Sequence, residues 1–467
     1  MPTRRNRVLP AVACVLGFTV AGAHLPRALF AQATAAWLEV YREPARRIVD
    51  LAASNDAAWQ RLAELGDLFG HRLTGSPALE KAIAWAVAEM KKNGLENVHT
   101  EPAMVPHWVR GAESIEIVSP SPQRLVMLGL GGSVGTPPQG IEAELLVVRD
   151  FAELESKAAS VRGRIVLFNV PYTNYGETVQ YRASGASRAA KHGAIASLVR
   201  SVGPVGLRTP HTGAVRYDKD LPQIPAAAVT AEDAEQLQRM QDRGSRVVLC
   251  LKMEAKMLPD VESANVIAEL RGRERPDEIV VVAGHFDSWD VGTGATDDGG
   301  GCVATWEALR ILKRLGLRPR RTIRVVLFVN EETEQRGGYA YRDQHRAELD
   351  AHVLMLESDS GVFRPLGFGF SGDDAGRASV AAIASLLSGI GADRVTDGGG
   401  GADIGPSVQA GKVPSMSLTV DGSRYFLIHH TPADTVDRID PADLARCVAA
   451  IAVMSYVVAD MPQRLGR

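Results

Sequence analysis

Cysteine is scarce in this chain, with four in 467 residues at Cys14, Cys250, Cys302 and Cys447. They are scattered and form no CxxC pair and no disulfide framework, which excludes a disulfide-stapled scaffold. Each reads instead as a small buried hydrophobe. An excess of one charge is also missing. Lys and Arg total 52 against 55 Asp and Glu, a net charge of −3, so the chain carries no electrostatic footprint for nucleic acid. Beyond the amino terminus no charge-free run approaches the roughly 20 apolar residues of a membrane span. Compositional bias is absent as well: 45% hydrophobic and 23% charged residues exclude a disordered or fibrous chain. What is plentiful is glycine, 45 residues against 25 prolines, which favours a turn-rich α/β or α+β chain over a helical bundle. A chain of 467 residues calls for two or three folding units.

The first residues follow the logic of export. Arg4, Arg5 and Arg7 precede an apolar stretch over 8–23, and small residues follow at Ala21-Gly22-Ala23 and Ala31-Gln32-Ala33. A basic start, a short apolar core and a small-residue cleavage zone predict a signal peptide over 1–33, and hence a secreted or periplasmic protein with no stable membrane span after cleavage. Cleavage there removes four arginines and no acid.

From about 37 to 97 apolar residues recur at helical spacing, as in Ile48, Leu51, Leu62, Leu65 and Leu68, then Ile83, Val87 and Met90 after Pro77. Short β-like runs follow at 113–118, 124–130, 143–148, 164–170, 194–199, 222–229 and 246–252, with a helix around 187–192. Few helices intervene, so a β-rich module is expected over 125–262. It interrupts a larger domain built from 34–124 and 263–467. After Pro259 the pattern changes. Ile279-Val280-Val281-Val282-Ala283-Gly284 is continuously apolar, as a strand buried on both faces must be. Cys302, Trp306, Leu309 and Leu312 mark one face of a helix ended by Gly316 and Pro319. Further buried strands are predicted at 322–329, 353–356 and 415–420. Strands alternating with helices predict an α/β fold, with a mostly parallel sheet covered by helices. Its ligands belong at the carboxyl ends of the strands.

Those ends are loaded. The first carries His285-Phe286-Asp287 and then Asp297-Asp298-Gly299; the second Asn330-Glu331-Glu332; the third Glu357-Ser358-Asp359; the fourth His429-His430. Imidazole and carboxylate without thiolate suit zinc or a similar divalent ion. The supply exceeds the three protein ligands of one catalytic zinc, so two ions about 3.5–4 Å apart fit better. Asp297, flanked by glycines that let the backbone approach closely, is the expected bridge. Asp287 lies two residues past His285, the spacing at which its carboxylate can take the second imidazole proton. Neighbouring Glu331 and Glu332 point to opposite sides of an extended chain. Glu332 is read as a ligand and Glu331 as the general base that takes a proton from the attacking water and returns it to the leaving amine. The residues alone do not choose between Glu357 and Asp359, or between His429 and His430.

The motifs Gly284-His285-Phe286-Asp287-Ser288-Trp289-Asp290, Asp297-Asp298-Gly299-Gly300-Gly301, Glu331-Glu332, Glu357-Ser358-Asp359 and His429-His430 resemble those of the co-catalytic zinc exopeptidases. The resemblance extends to Val179-Gln180-Tyr181-Arg182 and Pro210-His211-Thr212-Gly213, and so covers nearly the whole chain after the signal. It implies five ligands to two Zn2+: His285 and Asp359 on one ion, Glu332 and His430 on the other, Asp297 between them, with Glu331 as catalytic glutamate. It also implies a zinc exopeptidase fold, a protease-associated insert over 125–262, an Asp297–Asp298 cis peptide, small peptide substrates with free termini, and a homodimer. Two departures fall beside the site: the charged loop Thr333-Glu334-Gln335-Arg336 and the glycine-rich Asp397-Gly398-Gly399-Gly400-Gly401-Ala402-Asp403.

Rival readings are an aminopeptidase or an N-acyl amino acid deacylase on the same metals, and a peptidase-like binding ectodomain. Gly131-Gly132-Ser133-Val134-Gly135 matches a serine-hydrolase elbow in letters, but Thr136-Pro137-Pro138 cannot supply the helix that must follow.

Overall fold

Continuous apolar runs form the centre of an eight-stranded sheet. In the computed structural model, which describes residues 27–466 and side chains from Ala36 onward, four parallel strands lie side by side in the order Arg321–Phe328, Arg275–His285, His352–Glu357 and Ser415–Val420. These are the four buried strands expected from the sequence. Ile279, Val281 and Ala283 pack with Tyr341, Met355 and Ile404 on one face. Val280 and Val282, alternating with them, face the helices Gly300–Arg314 and Pro441–Asp460. Each such valine or isoleucine, wholly buried, contributes roughly 1.5–3 kcal/mol. Residues Tyr41–Arg467 pack as one unit. The signal segment read over 1–33, and Cys14 with it, lie outside the residues whose side chains are described.

Antiparallel strands flank the parallel four. Pro365–Ser371 and Arg394–Asp397 close one side, and Lys256–Leu270 with Glu96–Val109 close the other. The long strand Glu96–Val109 is hidden in the sequence by Pro102 and Pro106. Proline is tolerated there because this is the sheet's edge, where a missing N–H costs no ladder bond.

The second sheet also has eight strands, with a parallel centre of Ile141–Val148, Ile165–Phe168, Ala196–Arg200 and Ala226–Val229. Its bounds differ from those read in the sequence. Glu113–Ser119 pairs with Val248–Met253 inside this sheet, whereas Lys256–Leu270 belongs wholly to the first sheet. The strands of this sheet span Glu113 to Met253, whereas the insert was read over 125–262. It is also more helical than expected, with Phe151–Ser156, Tyr175–Ala190 and Ala231–Asp242. The three helices are polar or rich in small residues, so the sequence shows only the end of Tyr175–Ala190, as the helix expected around 187–192. Their caps mark all three: Asp150, Asn174 and Thr230 each accept an N–H three residues on, from Glu153, Glu177 and Asp233.

The helix Pro441–Asp460 is long and apolar enough to cross a membrane, although Asp443, Arg446 and Asp460 keep it from being a charge-free run. Its most apolar window is 78% buried within the protein, the mark of a core helix. Cys302 and Cys447 are buried and Cys250 partly so, all as free thiols. Ser133 donates to the Val134 carbonyl and accepts the Ala226 N–H, so its hydroxyl serves the local fold.

Candidate metal centre

The four parallel strands deliver their carboxyl ends to one edge. Arg275–His285 supplies His285 and, beyond it, Asp287. The loop before helix Gly300–Arg314 supplies Asp297, and the segment past His352–Glu357 supplies Asp359. Glu331 and Glu332 follow Arg321–Phe328. His429 and His430 follow the short helix Tyr425–Ile428.

Asp297 stands at the middle. Its Oδ1 lies 3.0 Å from His285 Nε2, while its Oδ2 lies 3.2 Å from His430 Nε2 and 3.4 Å from His429 Nε2. His285 Nε2 is 3.5 Å from Asp359 Oδ1, and His430 Nε2 is 3.1 Å from Glu332 Oε2. Two donor triads result, His285–Asp297–Asp359 and Asp297–His429–His430, each with ligand atoms within 4.8 Å of one another. They share Asp297.

The loop bearing Asp297 is fixed from both sides. Asp434 accepts the N–H groups of Thr296 at 2.6 Å and Asp297 at 3.1 Å. Asp298 accepts those of His285 and Gly301, each at 3.1 Å. The Asp297–Asp298 peptide is cis. Glycine is required at 301, since a Cβ there would sit 1.9 Å from the Ser358 carbonyl oxygen. Left-handed backbone at Asn330 (φ 66°) and His430 (φ 61°) adds strain of about 1–3 kcal/mol each at the residues that aim the glutamates and the last imidazole.

The charges are unbalanced in a way a divalent ion would relieve. Burial opposes a charged His285, yet hydrogen bonds to Asp297 and Asp359 raise its pKa well above the usual value. His430 is likewise penalised by burial but pushed up to about 10 by Glu332 and Asp297. Burial, with Asp297 adding, lifts Glu332 to about 7. Asp297 Oδ2 and Glu332 Oε1 are buried with no hydrogen-bond partner. Buried carboxylates without donors, facing imidazole nitrogens, are the donor set of a zinc-type site.

Two details differ from the sequence reading. The Asp287 carboxylate was expected to hold His285 Nδ1, but it lies 3.9 Å away, and the Asp287 backbone carbonyl takes that position at 3.0 Å. The carboxylate instead accepts the Glu331 N–H at 3.1 Å and the Thr74 hydroxyl at 2.8 Å. Asp287 therefore holds the Glu331 backbone through its carboxylate and the His285 ring through its main chain. Second, Glu331 and Glu332 occupy a turn rather than extended chain, because Asn330 reverses the backbone just past the strand.

The insert reaches into the same site. His430 Nδ1 faces the Thr212 carbonyl at 3.2 Å, and the Thr212 N–H donates back to the His430 carbonyl at 3.0 Å. Arg182 donates to the Thr212 carbonyl at 3.2 Å and to the Tyr175 hydroxyl at 2.8 Å. Trp289 donates its indole N–H to His430 Nε2 at 3.1 Å. The Thr212 contact at Nδ1 turns Nε2 toward Asp297 and Glu332, and a metal there would take that nitrogen in place of the Trp289 contact. Tyr175, Arg182, Ala214 and Arg216 from the insert line a cleft of about 670 Å³, together with Asp297, Glu331, Glu332, Asp359 and His430.

The sequence pattern of Peptidase family M28 matches residues 265–455. Carboxypeptidase Q from Homo sapiens is 46% identical over 426 residues, covering 91% of this chain and 90% of that protein. The Rattus norvegicus carboxypeptidase Q is 47% identical over 430 residues, 91% of each. This chain belongs to peptidase family M28. It is a carboxypeptidase Q-like zinc metallo-exopeptidase. The crystal structure of a Peptidase M28 precursor from Shewanella amazonensis SB2B superposes with a TM-score of 0.89 at 35% identity, covering 92% of this chain and 99% of that one. A zinc aminopeptidase from Bacillus subtilis shares the fold, with a TM-score of 0.65 at 20% identity over 88% of this chain and 96% of its own. All seven residues singled out in the sequence, His285, Asp287, Asp297, Glu331, Glu332, Asp359 and His430, lie within the stretch that matches M28.

Sequence reasoning on this M28 chain assigned no role to several contributors. Thr212 acts through its backbone carbonyl, which leaves no signal in residue type. Arg182 was visible only as part of a motif. Asp434, four residues past His430, could have been found as one more acid at a strand-end loop.

Proposed function

We propose that this peptidase binds two zinc ions through His285, Asp297, Glu332, Asp359 and His430 and hydrolyses dipeptides or short peptides with free termini. Asp297 carries the proposal, because its two oxygens face separate imidazole clusters. His430 is preferred to His429 as ligand because its Nδ1 is held by Thr212, whereas His429 Nδ1 is buried without a partner. Bound divalent ions would polarise the scissile carbonyl and acidify the attacking water. Glu331, left free of imidazole contact, is raised well above the usual carboxylate range by burial, with Asp359 and Glu332 adding. Such a group accepts a proton from water and returns it to the leaving amine near neutral pH. Asp287 holds the Glu331 backbone in place for both transfers.

The second sheet is read as a protease-associated insert that completes the cleft. The signal-like residues 1–33 support action outside the cytoplasm. A dipeptide panel assayed with zinc analysis of the same preparation tests the reading. Turnover of free dipeptides with two zinc ions per chain is expected, and preference for N-acetylated amino acids would replace it with the deacylase reading.

A further inference from the structure

Two guanidinium groups line the metal cleft, and their circumstances differ. Arg182 is buried, bonded to Thr212 and Tyr175 and 3.4 Å from His430 Nδ1. Arg216 is exposed, and among the described residues no carboxylate lies within ion-pair distance of it. Its backbone is nevertheless fixed. The Arg216 N–H donates to the Ala183 carbonyl at 2.7 Å, and the preceding Val215 N–H to the Gly131 carbonyl at 2.9 Å. The backbone thus places Arg216 at the cleft while its guanidinium remains open to a ligand.

Its location sharpens the contrast. Arg216 also lines a second cavity of about 590 Å³, together with Trp108, Tyr217 and Trp289. Ala214, Arg216, Thr333 and Gln335 belong to both linings and so form the ridge between the two spaces. Gln335 is held in left-handed backbone (φ 57°) on the charged loop that departs from the family pattern. The acids of the first cleft, Asp297, Glu331, Glu332 and Asp359, cluster at the metal centre. Neither arginine pairs with a carboxylate among the described residues, but Arg182 is buried behind His430, which leaves Arg216 the solvent-facing guanidinium for an anionic group of the substrate.

We infer that Arg216 binds the terminal carboxylate of the substrate and so determines specificity for peptides with a free carboxyl end. This rests on the peptidase reading above and adds to it the residue that enforces the free terminus. A guanidinium offers two parallel N–H donors that match a carboxylate and cannot be satisfied by a carboxamide. In a dipeptide the carboxylate follows the leaving nitrogen after a single Cα, so one anchor fixes the scissile bond relative to the metals.

The test compares a dipeptide with its carboxy-terminal amide on the zinc-loaded full chain and on Arg216→Gln and Arg216→Lys. The parent is expected to favour the free acid by at least about 10-fold in kcat/KM, mainly through KM. In R216Q that preference collapses to within about threefold, and R216K recovers part of it. Unchanged thermal melting of both variants shows that the exposed position tolerates the change. Equal turnover of acid and amide by the parent overturns the assignment while leaving the peptidase reading intact. Equal loss on both substrates in R216Q overturns it as well. Failure of the parent on both substrates removes the peptidase reading and this inference with it.

Discussion

The two eight-stranded sheets share a plan, with four parallel strands in the middle and antiparallel strands at the sides. They differ in what leaves the strand ends. In the second sheet a guanidinium and its partners stand there: Arg200 donates to Asn169 at 3.2 Å and pairs with Glu235 while its Nε stays unpartnered, and Thr230 caps a helix. In the first sheet carboxylates and imidazoles crowd together, and Asp297 Oδ2 and Glu332 Oε1 stay unpartnered. The architecture supplies an edge in both cases, and among the described residues only the first gathers buried carboxylates and imidazoles, the donor set a zinc-type ion would take. The second sheet contributes by support, through Thr212 and Arg182 behind His430.

The sharpest way to break this contrast is at Glu331. Glu331→Gln keeps the ligand cage and removes the base. Turnover should fall by about 100- to 10,000-fold with zinc content unchanged. Full activity in steady-state assays would show that the edge works without it.

A second test concerns the side of the first sheet away from the metals. His352, wholly buried, accepts from the Tyr341 hydroxyl at 2.9 Å, faces the Glu348 carbonyl at 3.0 Å, and is lowered to about 4 by burial. Its unfolded form takes a proton from about pH 6.5 downward and the folded form does not. Stability contributed by the neutral ring is therefore full above pH 6.5 and is lost as pH falls toward 4, by roughly 3 kcal/mol. Urea unfolding at pH 7 and pH 4.5 measures the slope, and His352→Gln should flatten it.

The smallest effects separate the two arginines of the insert. Arg182→Met should weaken zinc affinity by about 10-fold through the Thr212–His430 pair, read by competition with a chelator. Arg200→Met should leave zinc affinity unchanged and cost about 1–3 kcal/mol of stability. If both variants behave alike, the support role assigned to the insert is lost.

The candidate edge was legible because its signals are residue types at strand ends. Four apolar runs, each followed by acid or imidazole, announced the parallel sheet and the side chains that gather at its end. Less legible was whatever depends on backbone. The carbonyls of Asp287 and Thr212 orient two histidines without any side-chain signature. The turn at Asn330, not strand alternation, sets the directions of Glu331 and Glu332. The long strands Glu96–Val109 and Lys256–Leu270 carry prolines and exposed charges, so their pairing is a property of partners far apart in the chain. That is why the local pattern does not show that Glu113–Ser119 joins the second sheet and Lys256–Leu270 the first.

The central claim is that one sheet edge holds a pair of cations while Glu331 remains unbound, and counting metals tests it most directly. Zinc analysis of the purified parent and of Glu331→Gln should give two ions per chain in both, with activity only in the parent. A single ion in the parent, or loss of an ion on changing Glu331, would contradict the shared role of Asp297 and the freedom of the base.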